Sequence, residues 1–139
     1  MGKKILADIT ATLAAGSVAS PFYYQVNISQ RLRHKSCVDS RPTFAPIFSL
    51  ESMSEVGTGQ YVATIHVEGL VGYIPCSSNE CCTKTQQISQ DFTVPFASAT
   101  APTSVTVTSG TPVNAIVGGV RQSCSRQFVS EVPLTLTVA

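Results

Sequence analysis

The chain has 139 residues, nine Lys or Arg against eight Asp or Glu, and a formal charge of +1. Hydrophobic residues make up 43% and charged residues 12%, enough apolar matter for one packed domain spanning 1–139 and too little charge for a disordered chain. No stretch reaches the roughly 18 apolar residues that a membrane-spanning helix needs, and no block of like charge forms an acidic or basic tail.

With 15 Thr and 16 Val against 7 Leu, the composition is that of a strand former. At the N-terminus, Lys3 and Lys4 precede an apolar stretch, and Ser17-Val18-Ala19 has the small residues of a leader cleavage site. Asp8 interrupts that stretch, however, and Ile9, Ala11 and Leu13 alternate with Asp8, Thr10 and Thr12. Period two predicts a strand, and with it synthesis and assembly in a cytoplasm.

Residues 22–33 alternate next, with Tyr24, Val26, Ile28 and Leu32 on one face and Gln25, Asn27, Ser29, Arg31 and Arg33 on the other. Residues 34–46 carry His34, Lys35, Asp39, Pro42 and Pro46 and read as an irregular connection. The segment Ile47–Glu55 fits either a strand or a short helix ending before Gly57. Gly57-Thr58-Gly59 then turns the chain into a long strand, Tyr61–Ile74, whose return runs from Thr83 to Phe96. Shorter strands follow at Ser104–Thr108, Val113–Val120, Arg126–Val129 and Pro133–Val138, with Ser109-Gly110 and Gly118-Gly119 as turns or bulges. The prediction is an all-β, antiparallel sandwich or barrel-like domain of about eight strands around a long central hairpin.

The register of that hairpin follows from its side chains. Centring the turn on Ser78-Asn79 sets Tyr61 against Phe96, Ala63 against Val94, Ile65 against Phe92 and Val67 against Gln90. The opposite face then pairs Thr64 with Thr93, His66 with Asp91 and Glu68 with Ser89. One face is apolar and the other polar, and a slip of one residue would mix them. Arms of this length reach roughly 45 Å at ~3.3 Å per residue, which predicts that part of the hairpin projects beyond the core. The same register sets Cys76 opposite Cys81.

The five cysteines are Cys37, Cys76, Cys81, Cys82 and Cys124. One reading is a zinc-type thiolate site of Cys76, Cys81 and Cys82 with Cys124, Cys37 or His34 as fourth ligand. The ligand spacing suits zinc poorly, and neighbours Cys81 and Cys82 point to opposite faces of a regular strand. A second reading is a Cys76–Cys81 disulfide across the hairpin end, with Cys82 packed as a small apolar residue or bonded to Cys124 or Cys37. Free buried thiols are the third. The spacing favours the disulfide.

Catalytic patterns are weaker still. Cys37 or Cys124 with His34 or His66 would supply a thiolate and a base, but no nucleophile motif surrounds them, and His66 has a cross-strand partner in Asp91. Gly118-Gly119 has neither the Lys-Ser/Thr nor the helix of a phosphate loop. We therefore expect no enzyme, no catalytic residues and no cofactor. Arg31, Arg33, His34 and Lys35 cluster at one strand end, yet a charge of +1 and the lack of a stacking platform argue against nucleic acid as the partner. A solvated strand end or a salt bridge to a neighbouring subunit accounts for them. Asn27-Ile28-Ser29 matches a glycosylation sequon, which without a secretory route is a chance match.

Low charge and abundant hydroxyls suit neutral, hydrogen-bonding contacts between subunits. The strand Ile5–Leu13, the Tyr61–Phe96 hairpin and the terminal strand Pro133–Ala139 together resemble small all-β virion proteins of tailed bacteriophages, notably auxiliary or decoration proteins of the capsid. The resemblance lies in architecture and composition over the whole chain and transfers no site residues. It implies a structural subunit of a virion, assembled in the host cytoplasm, whose partners are other protein subunits. The alternative is a secreted adhesin or fibre subunit at the cell surface, with disulfides and a cleaved leader. A small Cys-rich metal-binding domain is the third.

Overall fold

Period-two alternation gives each strand one apolar face, and two sheets remove those faces from water by stacking them. The computed structural model describes residues 5–37, 41–74, 84–117 and 124–139, with the backbone alone at 34–37 and 124–126. The described residues form nine strands: β1 (Asp8–Leu13), β2 (Phe22–Cys37), β3 (Thr43–Phe44), β4 (Ile47–Gly57), β5 (Gln60–Tyr73), β6 (Lys84–Ala97), β7 (Val105–Ser109), β8 (Val113–Val117) and β9 (Cys124–Val138). No helix occurs among them. The chain is all-β, with two antiparallel sheets facing each other as an open sandwich.

In the first sheet β1 pairs β2 and β2 pairs β9, while β7 and β8 share the other side of β9. In the second, β5 is central, with β6 along one side and β4 and β3 along the other. The expected hairpin register is the observed one: Tyr61 opposes Phe96, Ile65 opposes Phe92 and His66 opposes Asp91. Between the sheets lie Val26, Ile28 and Leu32 from β2, Ala63, Ile65 and Val67 from β5, Val94 from β6, and Phe128, Val132 and Leu136 from β9. An edge-on ring pair, Phe44 with Phe128, joins the layers at a centroid separation of 5.2 Å, and Phe48 packs edge-on against Phe92 within the second sheet at 6.0 Å.

Four local expectations change. The segment 34–46 is not wholly irregular, because β2 continues to Cys37 and β3 pairs Thr43 and Phe44 with Gly72 and Val71. Gly69 makes room for this, since a Cβ there would stand 2.8 Å from the Phe44 ring. The ambiguous segment at Ile47 is a strand throughout. The described hairpin arms do not project: Val71 and Tyr73 are 0% and 2% exposed, and the tip lies outside the described residues.

The two expected strands around Pro133 are a single one, β9. The Pro133 carbonyl accepts a bond from the Gly110 amide at 2.8 Å, on the side of β7 and β8. In a strand the N and O of one residue point the same way, so the missing proline N–H faces the gap between β7 and β8 and the ladder to β2 loses nothing.

Polar side chains also tie the layers together. Gln86 of β6 is buried, and its amide accepts from the Arg33 N–H at 2.9 Å and donates to the Arg31 carbonyl at 2.7 Å. Gln90, four residues on and on the same face, pairs likewise with the N–H and carbonyl of Ala7, at 3.0 and 2.6 Å. Gln30 of β2 donates to the carbonyls of Ile5 and Gln87. The Gln86 and Gln90 amides each supply one acceptor and one donor and so imitate a rung of sheet, whereas Gln30 only donates.

Candidate functional site

Two cross-strand rows build a groove on the outer face of the first sheet. Asp8, Ser29, Val129 and Ala115 stand opposite one another in β1, β2, β9 and β8, and Thr10, Asn27, Glu131 and Val113 form the next row. Directly opposed residues share a face, and these eight line a cavity of about 470 Å³. Its chemistry is neutral hydroxyl and amide groups over a floor of valine and alanine, with one carboxylate in each row. No His, Cys, Lys or Arg lines it. Such a surface accepts hydrogen bonds and apolar contact and carries no nucleophile–base pair.

A second constellation occupies the outer face of the other sheet. His66 Nδ1 lies 2.7 Å from Asp91 Oδ1, and Nε2 lies 3.2 Å from Glu68 Oε1 and 3.3 Å from Ser89 Oγ. The hairpin register makes this group, since His66 opposes Asp91 and Glu68 opposes Ser89. Ser89, His66 and Asp91 have the connectivity of a serine nucleophile, its base and an orienting acid. The electrostatics differ from that template. The hydrogen bond to Asp91, and then that to Glu68, raises the His66 pKa. Carboxylates at both ring nitrogens favour the protonated ring, and an imidazolium has no lone pair with which to take the serine proton. The group is a hydrogen-bond cluster of one imidazole, one hydroxyl and two carboxylates on the outer face of the sheet.

Comparison with protein-family models, curated proteins and solved structures finds no match. The functional reading thus rests on this chain's own geometry. The long outer edge of β4 is one part of it. Among the described residues β4 pairs only with β5, and its other side has no ladder partner. Ile47 and Val56 in it are 73% and 64% exposed. A bulge between Leu50 and Ser52 takes the strand away from the core, so Met53 stays exposed although it opposes the fully buried Ala63.

The remaining sequence candidates fall as follows. Cys76, Cys81 and Cys82 lie outside the described residues, and with them both the Cys76–Cys81 disulfide and the metal site. Cys37 and Cys124 are opposed in the β2–β9 ladder. Among the described residues no group of three or more His, Cys, Asp and Glu is placed to hold a metal ion. Arg31 and Arg33 are exposed on β2, and Arg31 stands two residues beyond Ser29, in the cross-strand row next to the groove. The groove itself escaped sequence reading because its rows draw on four strands distant in the chain. Its one available signal was the polar phase of each of those strands.

Proposed function

We propose that the protein is a non-enzymatic structural subunit that works through contacts with other protein subunits. Its sharper form is an auxiliary or decoration protein of a phage capsid, resident in the virion. The observation that carries the proposal is the β4 edge: eleven residues, Ile47–Gly57, without Lys, Arg or Pro, charged only at Glu51 and Glu55, and with Ile47 and Val56 exposed. Monomeric sheet proteins usually blunt such an edge with lysine, proline or a covering element, because it adds a strand from another chain; two glutamates and a bulge are the devices present here. The groove on the opposite sheet supports the same reading through its valine and alanine floor and its hydroxyl and amide groups, with Asp8 and Glu131 as its two charges. The virion form rests further on the architectural resemblance of β1, the central hairpin and β9 to capsid auxiliary proteins.

Sedimentation velocity over a range of concentrations, with co-sedimentation from the producing cells, tests the proposal. The wild type should assemble or travel with particles, and Ile47→Lys/Val56→Lys should keep its far-ultraviolet circular dichroism while losing that association. A stable monomer at every concentration, from cells without particle association, would overturn it. The secreted fibre reading draws on the opposed positions of Cys37 and Cys124. N-terminal sequencing separates the two: a start at Met1 or Gly2 favours the virion subunit, and a start near Ser20 the secreted one.

A further inference from the structure

We propose that Cys37 and Cys124 form a cross-strand disulfide that locks the β2–β9 pair, independently of which assembly the protein joins. The ladder between these strands shifts register between Arg31 and Ser36 and then resumes with Ser36 opposite Ser125 and Cys37 opposite Cys124. Directly opposed residues of an antiparallel pair share a face and have Cα atoms about 4.5–5.5 Å apart. A disulfide takes Cα separations of about 4.4–6.8 Å, so the backbone position meets the requirement without rearrangement. A one-residue difference in the shift would have put the two cysteines on opposite faces.

The placement also settles which cysteines remain for the hairpin tip. With Cys37 and Cys124 joined, neither is available as a fourth ligand for Cys76, Cys81 and Cys82, nor as a partner for Cys82. The bond closes a loop of roughly 87 residues between the two strands that complete the centre of the first sheet, and long loops gain most from closure.

The chemistry is a two-electron oxidation by a small disulfide such as oxidised glutathione. The thiolate of one cysteine attacks the glutathione disulfide, forming a mixed disulfide and expelling one glutathione thiolate. The second cysteine thiolate then attacks the protein-bound sulfur, closing the Cys37–Cys124 bond and releasing the second glutathione. Two protein thiols become one disulfide, and one glutathione disulfide becomes two thiols.

Peptide mapping of the full chain tests this. After treatment with oxidised glutathione, the protein is denatured, alkylated without reduction, and cut with trypsin and a glutamyl endopeptidase. Cleavage after Lys35, Glu51, Glu68, Glu80, Lys84, Arg121 and Arg126 places Cys37, Cys76 and Cys124 in separate peptides and Cys81 with Cys82 in a fourth. The expected result is a peptide pair linked through Cys37 and Cys124 that separates on reduction. Either cysteine bonded elsewhere, or both alkylated in the oxidised protein, overturns the proposal. In the Cys76→Ser/Cys81→Ser/Cys82→Ser variant the thiol count should fall from two to zero on oxidation, and the urea midpoint should rise. A count that stays at two refutes the proposal on its own.

Discussion

Replacing Gln86 by Ala tests whether side-chain amides hold the two layers together. The Gln86 side chain is 7% exposed and satisfies two backbone groups of β2, the Arg33 N–H and the Arg31 carbonyl. Truncation removes both partners where water has little access. Leaving a buried donor or acceptor unpaired costs about 1–3 kcal/mol each, and both groups are partly buried, so the low end of that range applies to each. The variant should lose about 2–4 kcal/mol. For a chain of this size that lowers Tm by roughly 5–15 °C.

Urea unfolding followed by far-ultraviolet circular dichroism measures it, with Gln87→Ala as control. Gln87 is the next residue on the same strand but exposed, and it contributes only its backbone carbonyl to Gln30, so its change should stay within about 0.5 kcal/mol. Equal losses in the two variants would refute the argument. Gln86→Glu sharpens it. The carboxylate accepts from Arg33 but cannot donate to Arg31 unless protonated, so burial and that carbonyl raise its folded pKa above the ordinary ~4.3. A raised folded value favours the protonated fold. Stability of this variant should be greatest below the unfolded pKa and decline as pH rises through the folded one.

Two further outcomes are open to measurement. The His66 pKa is raised by Asp91 and Glu68, so its contribution to stability is present below about 6.5 and lost as pH rises through the folded value; Asp91→Asn should lower the pKa in a nuclear magnetic resonance titration, and an unchanged value would show that the 2.7 Å contact is not the cause. Gly69→Ala places a Cβ 2.8 Å from the Phe44 ring and 3.2 Å from the Pro46 backbone, which should cost about 1–3 kcal/mol by chemical denaturation, whereas Gly57→Ala, with nothing nearer than 3.7 Å, should add no packing penalty.

The hairpin register was legible because both its faces are chemically uniform, so that only one alignment of Tyr61–Tyr73 with Lys84–Phe96 keeps Phe92 and Val94 away from Asp91 and Thr93. The same property exposed the His66–Asp91 pair. Alternation misled where one residue carried two meanings. Pro133 is a strand breaker in general, yet here its missing N–H points into a gap that only the placement of β7 and β8 creates. Gln30 stands in the apolar phase of β2, and nothing local says that Ile5 and Gln87 will accept its protons. One of its atoms, Oε1, is buried without a partner among the described residues. The groove on the first sheet was the least legible feature, because register between β1, β2, β8 and β9 is a property of the fold and of no single segment.

The position of β9 has a consequence for how the molecule comes into being. The second sheet is assembled from β3, β4, β5 and β6, consecutive strands that find their partners close by in the chain. The first sheet waits: β2 pairs with β9 roughly 100 residues later, and among the described residues β7 and β8 have β9 as their only ladder partner. Pairing over such separations is slow, because a long loop must close before any contact offsets it. Until β9 is in place, the inner faces of β5 and β6 lack their cover. A chain halted before Cys124 would therefore hold the second sheet and the β1–β2 pair, with β7 and β8 left without β9, and would be prone to aggregate through its incompletely covered apolar face. Closure of the first sheet waits for β9, the last of the nine described strands in chain order.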